Sequence, residues 1–256
     1  MADKLVVLGG TGFIGSAICR IAVSEGHEVV SVSRSGRPRY EADWMDRVRW
    51  IQGNVLQPDA WREHLQETKA VVHSVAILRE KENEGLTYQR INTDSVEMTA
   101  WEAEQAGVER FVFLSVHGHP PFLPDRFIET KRLGEQVLNH SQLQELILRP
   151  ALVYGPGRPV TLPFGLVQQL RSKIPFLAAP AEEQPLRVEQ VATAAVRAAT
   201  DLDYEGGMNP EHIAYVAGND WKGYRDPSVP ITSLRPFLVG GFAAAAIAGA
   251  LSAGRR

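Results

Sequence analysis

The chain has 256 residues, a formal net charge of −3, 44% hydrophobic residues and 22% charged ones. These values suit one large α/β domain, or a domain with a small lobe, and exclude a mainly disordered chain. The slight acidity speaks against nucleic acid as the partner, because holding a phosphate backbone needs a basic face.

Taken in order, the first two-thirds alternates short apolar runs with helical patterns. KLVVLG, EVVSVS, VRWIQ, AVVHSVA, RFVFLS and ELILRP are runs of strand length, largely apolar or β-branched, as expected of parallel strands covered on both faces. Helical patterns lie between them at residues 13–25, 58–66, 86–106 and 125–140. Repeated βα units predict an α/β fold with a doubly wound parallel sheet, the Rossmann arrangement. From Pro150 the rhythm changes. ALVYGPGRP reads as a Gly/Pro-rich loop, then come a helix near LPFGLVQQLRSK, a short PLRV, a helix at VEQVATAAVRAAT and a strand at HIAYVAG. The expected division is a nucleotide-binding domain over 1–218, with a small C-terminal substrate lobe at about 151–218, followed by a linker at 219–235.

Residues 236–254 form an uncharged Ala/Gly-rich tail, close to the ~20 residues a spanning helix needs. Gly241, Ala245, Gly249 and Ala253 recur every four residues, a small-residue face suited to close helix contact in a membrane or on a partner subunit. The single cysteine, Cys19, lies in the apolar helical run FIGSAICRIAV and reads as a buried, inert thiol. The first strand starts at once, with no stretch that reads as a signal or transit peptide. The expected compartment is therefore the cytoplasm, with membrane association through the tail. No metal site is read.

The chemistry is densest at VVLGGTGFIGS, where Gly9, Gly12 and Gly15 fall three residues apart between a strand and a helix. One glycine permits the tight turn, one lets backbone approach a pyrophosphate, and one allows close helix–strand packing. The helix N-terminus adds N–H donors and a positive dipole end. The second strand ends in SVSRSGRPR, with Arg34 where NAD sites carry a carboxylate for the ribose 2′-hydroxyl. A guanidinium offers forked donors to a 2′-phosphate, so NADP (NADPH) is expected over NAD.

GGTGFIG, QGNV, AVVHSVA, INTDS, FVFLS, the lysine of FIETK and LRPALVYGPG occur in that order over residues 4 to 160. This pattern resembles the extended and atypical short-chain dehydrogenase/reductase family, whose members include epimerases and dehydratases. Within it, the chain is similar to respiratory-membrane members, the nucleotide-binding accessory subunit of complex I and a ubiquinone-biosynthesis-associated dehydrogenase-like protein, and VVSVSRSG followed by VVHSVAIL suggests the latter. The resemblance implies a cofactor-binding set of Gly9, Thr11, Gly12, Phe13, Ile14, Gly15, Arg34, Asn54, Val55, Ser74, Val75, Ala76, Lys131, Pro150 and Val153. Asn54 stands where the family carries an aspartate for the adenine amino group, and its amide oxygen can still accept. His73 reads as a packed histidine, and Asn92 matches a helix asparagine that supports the site in many relatives.

In the family a tyrosine transfers the proton, a lysine one turn later lowers its pKa and holds the ribose, and a serine or threonine orients the carbonyl. Lys131 matches the lysine and Ser115 the serine, but Phe127 stands at the tyrosine position and cannot transfer a proton. General acid catalysis is typically worth ~10²–10⁴-fold. His117, beside His119 in SVHGHPP, is the candidate substitute acid; the alternative is a loop histidine without a role. Two readings stay open. One is an NADP(H)-dependent reductase acting on a small-molecule or lipid-like substrate, in quinone or isoprenoid-lipid metabolism at a membrane. The other is a non-catalytic nucleotide-binding accessory or assembly subunit of a membrane-associated complex. Phe127 favours the second; Lys131 and Ser115 favour the first, although both also serve cofactor binding.

Overall fold

Leu5, Val6, Val7 and Leu8 are fully buried, and their strand is the centre of the fold. In the computed structural model, residues 2–120, 123–157 and 184–218 are described, all within a unit spanning Met1–Arg225. The expected helix near 162–173, the linker at 219–235 and the apolar stretch 236–254 lie outside these residues. The strands are β1 (Lys4–Leu8), β2 (Glu28–Ser33), β3 (Val48–Gln52), β4 (Ala70–His73), β5 (Arg110–Leu114) and β6 (Gln144–Leu148). After them come β7 (Val153–Tyr154), β8 (Leu186–Arg187) and β9 (Gly206–Met208). The main sheet has the order β3-β2-β1-β4-β5-β6-β9 and every neighbouring pair is parallel. β7 and β8 pair separately. Strand order reverses between β1 and β4, so the crevice beyond their C-terminal ends is where such a sheet receives a ligand.

The helices are α1 (Phe13–Ser24), α2 (Ser95–Gln105), α3 (Asp125–Leu138), α4 (Val188–Thr200) and α5 (Pro210–Val216). Alternation along the strands feeds both faces of the sheet. Val6, Leu8, Val30, Val71, Phe111 and Phe113 form one apolar core with Ala100 and Ala103 of α2 and Leu138 of α3. α1 and α4 pack against each other, and Ile18, Ala22, Val191 and Ala195 are buried there.

Three elements differ from their expectation. The pattern at 58–66 forms two 3₁₀ turns, Pro58–Ala60 and Arg62–Leu65, not one helix. The helix expected from 86 begins with a π-helical turn at Arg90–Asp94 and becomes α-helical at Ser95. HIAYVAG is not a strand. Pro210 occupies the first helical turn after Asn209, and His212, Ile213 and Val216 are buried at helical spacing. The strand lies just before it, in the short GGM of β9, which lacks the β-branched residues that announce the others.

Candidate functional site

The loop after β1 is built by close approach of backbone. Gly9 has φ +89°, a conformation costly for any residue with a Cβ. Its N–H donates to Val32 O at 2.8 Å, and Gly12 N–H donates to Gly9 O at 2.9 Å. A Cβ on Gly15 would fall on Gly9 O and lie 2.7 Å from Ser74 Oγ. Ser74 Oγ donates to Leu8 O at 2.9 Å, so β1, α1 and the end of β4 are drawn to one point. Gly12 precedes α1 without a capping side chain. The N–H groups of the first turn are thus left for an anion, which is the geometry a pyrophosphate uses. Phe13 and Ile14 are half-buried at this turn.

The rim beyond β2 carries the charge. Ser35 Oγ lies 3.5 Å from Thr11 Oγ1, which brings the β2 loop beside the glycine turn. Arg34 is exposed, and its backbone oxygen accepts Gln52 Nε2 at 3.2 Å. Arg37 is committed elsewhere: its guanidinium meets Asp46 and Glu41 at 2.8 Å each, and these carboxylates raise its pKa. Asn54 Oδ1 accepts Leu56 N–H at 3.1 Å, leaving this oxygen a second lone pair. Val55 is buried in the same core cluster as Trp61. Ser74 and Val75 are half-buried and Ala76 is exposed.

At the other end of the crevice, Lys131 is 2% exposed. Its Nζ donates to Leu114 O at 2.9 Å and to Val75 O at 3.3 Å, and sits 4.6 Å from the Phe113 ring centre. Burial pushes its pKa down to about 7, against the opposing pull of Glu135. Phe127, one turn earlier, is buried edge-on to Tyr88, with ring centres 5.6 Å apart. Val116, Ile128, Ile77 and Leu123 complete that apolar cluster. The Tyr88 hydroxyl donates to Leu78 O at 2.9 Å. Ser115 is buried and its hydroxyl donates to Glu135 Oε1. Pro150 and Val153 are buried, and Pro150 O accepts His117 N–H at 2.9 Å.

The remaining candidates are placed as follows. His117 Nδ1 lies 3.3 Å from Asn209 Oδ1, and His119 is exposed beside Asp125 at 3.5 Å. Asn92 is fully buried on the π-helical turn, where Nδ2 donates to Thr130 Oγ1 at 3.1 Å. Ser95 Oγ donates to Ile91 O at 2.6 Å, so His73 Nε2, 3.0 Å from Ser95 Oγ, is the donor of that pair. Burial, and secondarily Lys131, hold His73 neutral with a pKa of about 3. It packs against Phe111 and Phe113, as a core histidine does. An open depression of about 620 Å³ lies along α3, lined by Gly118, His119, Ile128, Glu129, Arg132 and Leu133. None of its lining residues belongs to the glycine turn. Among the described residues no group of His, Cys, Asp and Glu could hold a metal ion.

Two residues of this end were not singled out from sequence. Glu135 takes Arg132 Nη1 at 2.6 Å, Arg149 Nε at 3.0 Å and Arg149 Nη2 at 2.8 Å, besides Ser115. The signal that could have found them is the one-turn spacing of Lys131 and Glu135, followed by the charged residue in LRP.

A family described as NAD(P)H-binding matches residues 9–165. The chain belongs to this family. It is 35% identical over 235 residues to an uncharacterized chloroplastic protein of Arabidopsis thaliana, covering 84% of this chain and 78% of that one. It is 29% identical over 208 residues to MIOREX complex component 2 of Saccharomyces cerevisiae, covering 62% of this chain and 75% of that one. In fold it is similar to the Bordetella bronchiseptica enzyme WbmH, solved in complex with NAD+, with TM-score 0.63 and 18% identity over 85% of this chain and 80% of that one. These likenesses agree with the short-chain dehydrogenase/reductase pattern of the sequence. The cradle a Cβ at Gly15 would fill, and the uncapped start of α1, suit the family's dinucleotide.

Proposed function

We propose that the protein keeps the family's nucleotide site, prefers NADP(H), and has lost the means to protonate a carbonyl. On this reading it is an accessory or assembly subunit beside quinone or isoprenoid-lipid chemistry at a membrane. The observation that carries it is the state of three positions taken together. Phe127 has no hydroxyl and is packed edge-on against Tyr88. The Ser115 hydroxyl is spent on Glu135. Lys131 donates to two backbone carbonyls, which leaves one of an ammonium's three donors for a ribose. When bound, a reduced nicotinamide would supply a hydride; Phe127 has no proton to deliver with it, and the Ser115 hydroxyl proton is directed at Glu135. The likeness to a component of a complex supports the accessory role.

Arg34 supports the NADP(H) preference, because it stands exposed beside the glycine turn while Arg37 is occupied by carboxylates. NADPH should bind at least about tenfold more tightly than NADH, a difference of ~1.4 kcal/mol, and Arg34→Glu should reverse the order. Calorimetry giving equal affinities in the parent protein would remove this part of the reading.

A second reading is favoured by the apolar surroundings of Phe127, formed by Tyr88, Val116, Ile128, Ile77 and Leu123. An apolar cluster beside Lys131 is compatible with a lipid-like substrate, and hydride delivery to an electron-poor quinone needs less help from a protein acid. Stoichiometric NADPH binding, followed by NADPH oxidation assays with quinones and with carbonyl compounds, separates the readings. Binding without turnover supports the accessory role, and turnover with quinones alone supports the second. Among the described residues no helix is long and apolar enough to cross a membrane, so the membrane part of the proposal rests on residues 236–254. It keeps the nucleotide domain in the cytoplasm. Fractionation of the full chain against one ending at Ser233 tests it, and identical behaviour of the two would contradict it.

A further inference from the structure

Glu135 lies one helical turn beyond Lys131 on α3 and is 5% exposed. Its Oε1 accepts the Ser115 hydroxyl, Arg132 Nη1 and Arg149 Nε, and its Oε2 accepts Arg149 Nη2. Charge-assisted donors of this number hold a carboxylate in one place. Three elements meet on it: α3, the end of β5 through Ser115, and the end of β6 through Arg149. The same strand ends supply Leu114 O, which accepts Lys131 Nζ, and lead into Pro150.

The charged and titratable groups around Lys131 come from several elements. Glu135 is on its own helix, with Arg132 beside it, and Arg149 reaches Glu135 from β6. His73 approaches from β4 and stays neutral, while β5 presents the Phe113 ring. Glu135 is the negative member of this set and raises the lysine's pKa against its burial.

We propose that Glu135 is a positioning residue of the nucleotide site, fixing the ends of β5 and β6, the first of which carries the Leu114 carbonyl that accepts Lys131, where a nicotinamide ribose is received. In doing so it links nucleotide affinity to the protonation of the lysine. The inference rests on the nucleotide-binding reading. A protonated Lys131 has three N–H donors, of which two go to Leu114 O and Val75 O. Loss of its proton removes a donor and a positive charge, so affinity for the anionic nucleotide falls as pH rises through the lysine's titration. Removing the charge of Glu135 lowers the lysine's pKa and moves that fall to lower pH. Removing the charge of Arg132, which is about a third exposed, moves it to higher pH.

The test is calorimetric titration of NADPH into the full-length protein from roughly pH 5.5 to 9, with Glu135→Gln, Glu135→Asp and Arg132→Gln beside the parent. The 2′-phosphate of NADPH itself titrates near pH ~6, equally for every variant, so the differences between variants are the readout. In the parent, affinity should fall several-fold around the lysine's midpoint. Glu135→Gln should move that midpoint down by about half a unit or more, Arg132→Gln should move it up, and Glu135→Asp should keep it. A parent with no pH step overturns the inference, as do variants that weaken binding uniformly at an unchanged midpoint, which would make Glu135 a structural brace. If Glu135→Gln does not fold, the direction of the Arg132→Gln shift decides. A parent that binds no NADPH at any pH would instead refute the nucleotide-binding reading itself.

Discussion

At position 127 one oxygen is missing, and the neighbours that would use it are already engaged. Lys131 lies one turn away, but its ammonium is already held by Leu114 O and Val75 O, and Ser115 is held by Glu135. Phe127→Tyr should therefore raise turnover on a test carbonyl by less than about tenfold, or ~1.4 kcal/mol of transition-state stabilisation. A larger gain, abolished by adding Lys131→Ala, would show that position 127 alone silences the site. His73 makes a second prediction. Its folded pKa of about 3 lies below the ~6.5 of an unfolded histidine, so the unfolded chain takes up the extra proton as pH falls. Its contribution is thus fully present above pH ~6.5 and is lost on acidification, by about 2 kcal/mol at pH ~5. Among the described residues His73 Nδ1 has no partner, and Ser95 keeps its bond to Ile91 O without the ring. His73→Leu should flatten this limb of a urea-unfolding pH series at a cost of about 1–2 kcal/mol near neutrality. A parent protein equally stable at pH ~7 and ~5 would contradict the assignment.

Among the elements, α3 is seated by contacts that periodicity alone does not announce. A Cβ on Gly134 would lie 2.5 Å from Asn92 O and 3.2 Å from Phe113 Cζ, so the helix and the π-helical turn touch backbone to backbone. Thr93 Oγ1 donates to Thr130 O at 2.9 Å, closing the same seam as Asn92. Gly134→Ala should destabilise by about 1–3 kcal/mol through overpacking, read as a lowered urea midpoint, and should weaken NADPH binding by displacing Lys131. An unchanged midpoint would show that the seam yields freely. Gly15→Ala strikes the other end of the crevice, where its Cβ would collide with Gly9 O, and should abolish nucleotide binding. The first six strands are legible because each is a largely apolar or β-branched run of strand length, and the glycine turn because its spacing follows from close backbone approach. The π-helical turn was not legible, since INTDS has the same residue preferences in an α-helix. HIAYVAG was misread because its apolar residues fit a short strand as well as a helix, and the Asn-Pro start decides between them. Glu135 was missed because, from sequence, a glutamate on a helix reads as a solvated surface residue. Its pairing with Arg149, 14 residues further along the chain, forms only when α3 packs beside the end of β6.

Across the whole molecule, the parallel order β3-β2-β1-β4-β5-β6-β9 brings the glycine turn, the Arg34 rim and Lys131 to the C-terminal edge of one sheet. The Glu135–Arg149 pair ties α3 to β6 beside that edge, and Ser115 ties in β5. Arg149→Met would leave the Glu135 carboxylate with only Arg132 and Ser115 and should cost about 1–3 kcal/mol of stability, measured by denaturant unfolding. On the proposed reading, nucleotide binding and carbonyl chemistry are separable, since the first depends on the architecture of the edge and the second on the hydroxyl that Phe127 lacks. The most direct measurement is one experiment on the full-length protein: calorimetric titration with NADPH, followed in the same sample by absorbance-monitored NADPH oxidation on adding carbonyl substrates. One NADPH should bind per chain, with no carbonyl-dependent oxidation above the uncatalysed rate. Carbonyl turnover at the 1 s⁻¹ or faster that is ordinary for enzymes, roughly, or a failure to bind NADPH, would contradict it.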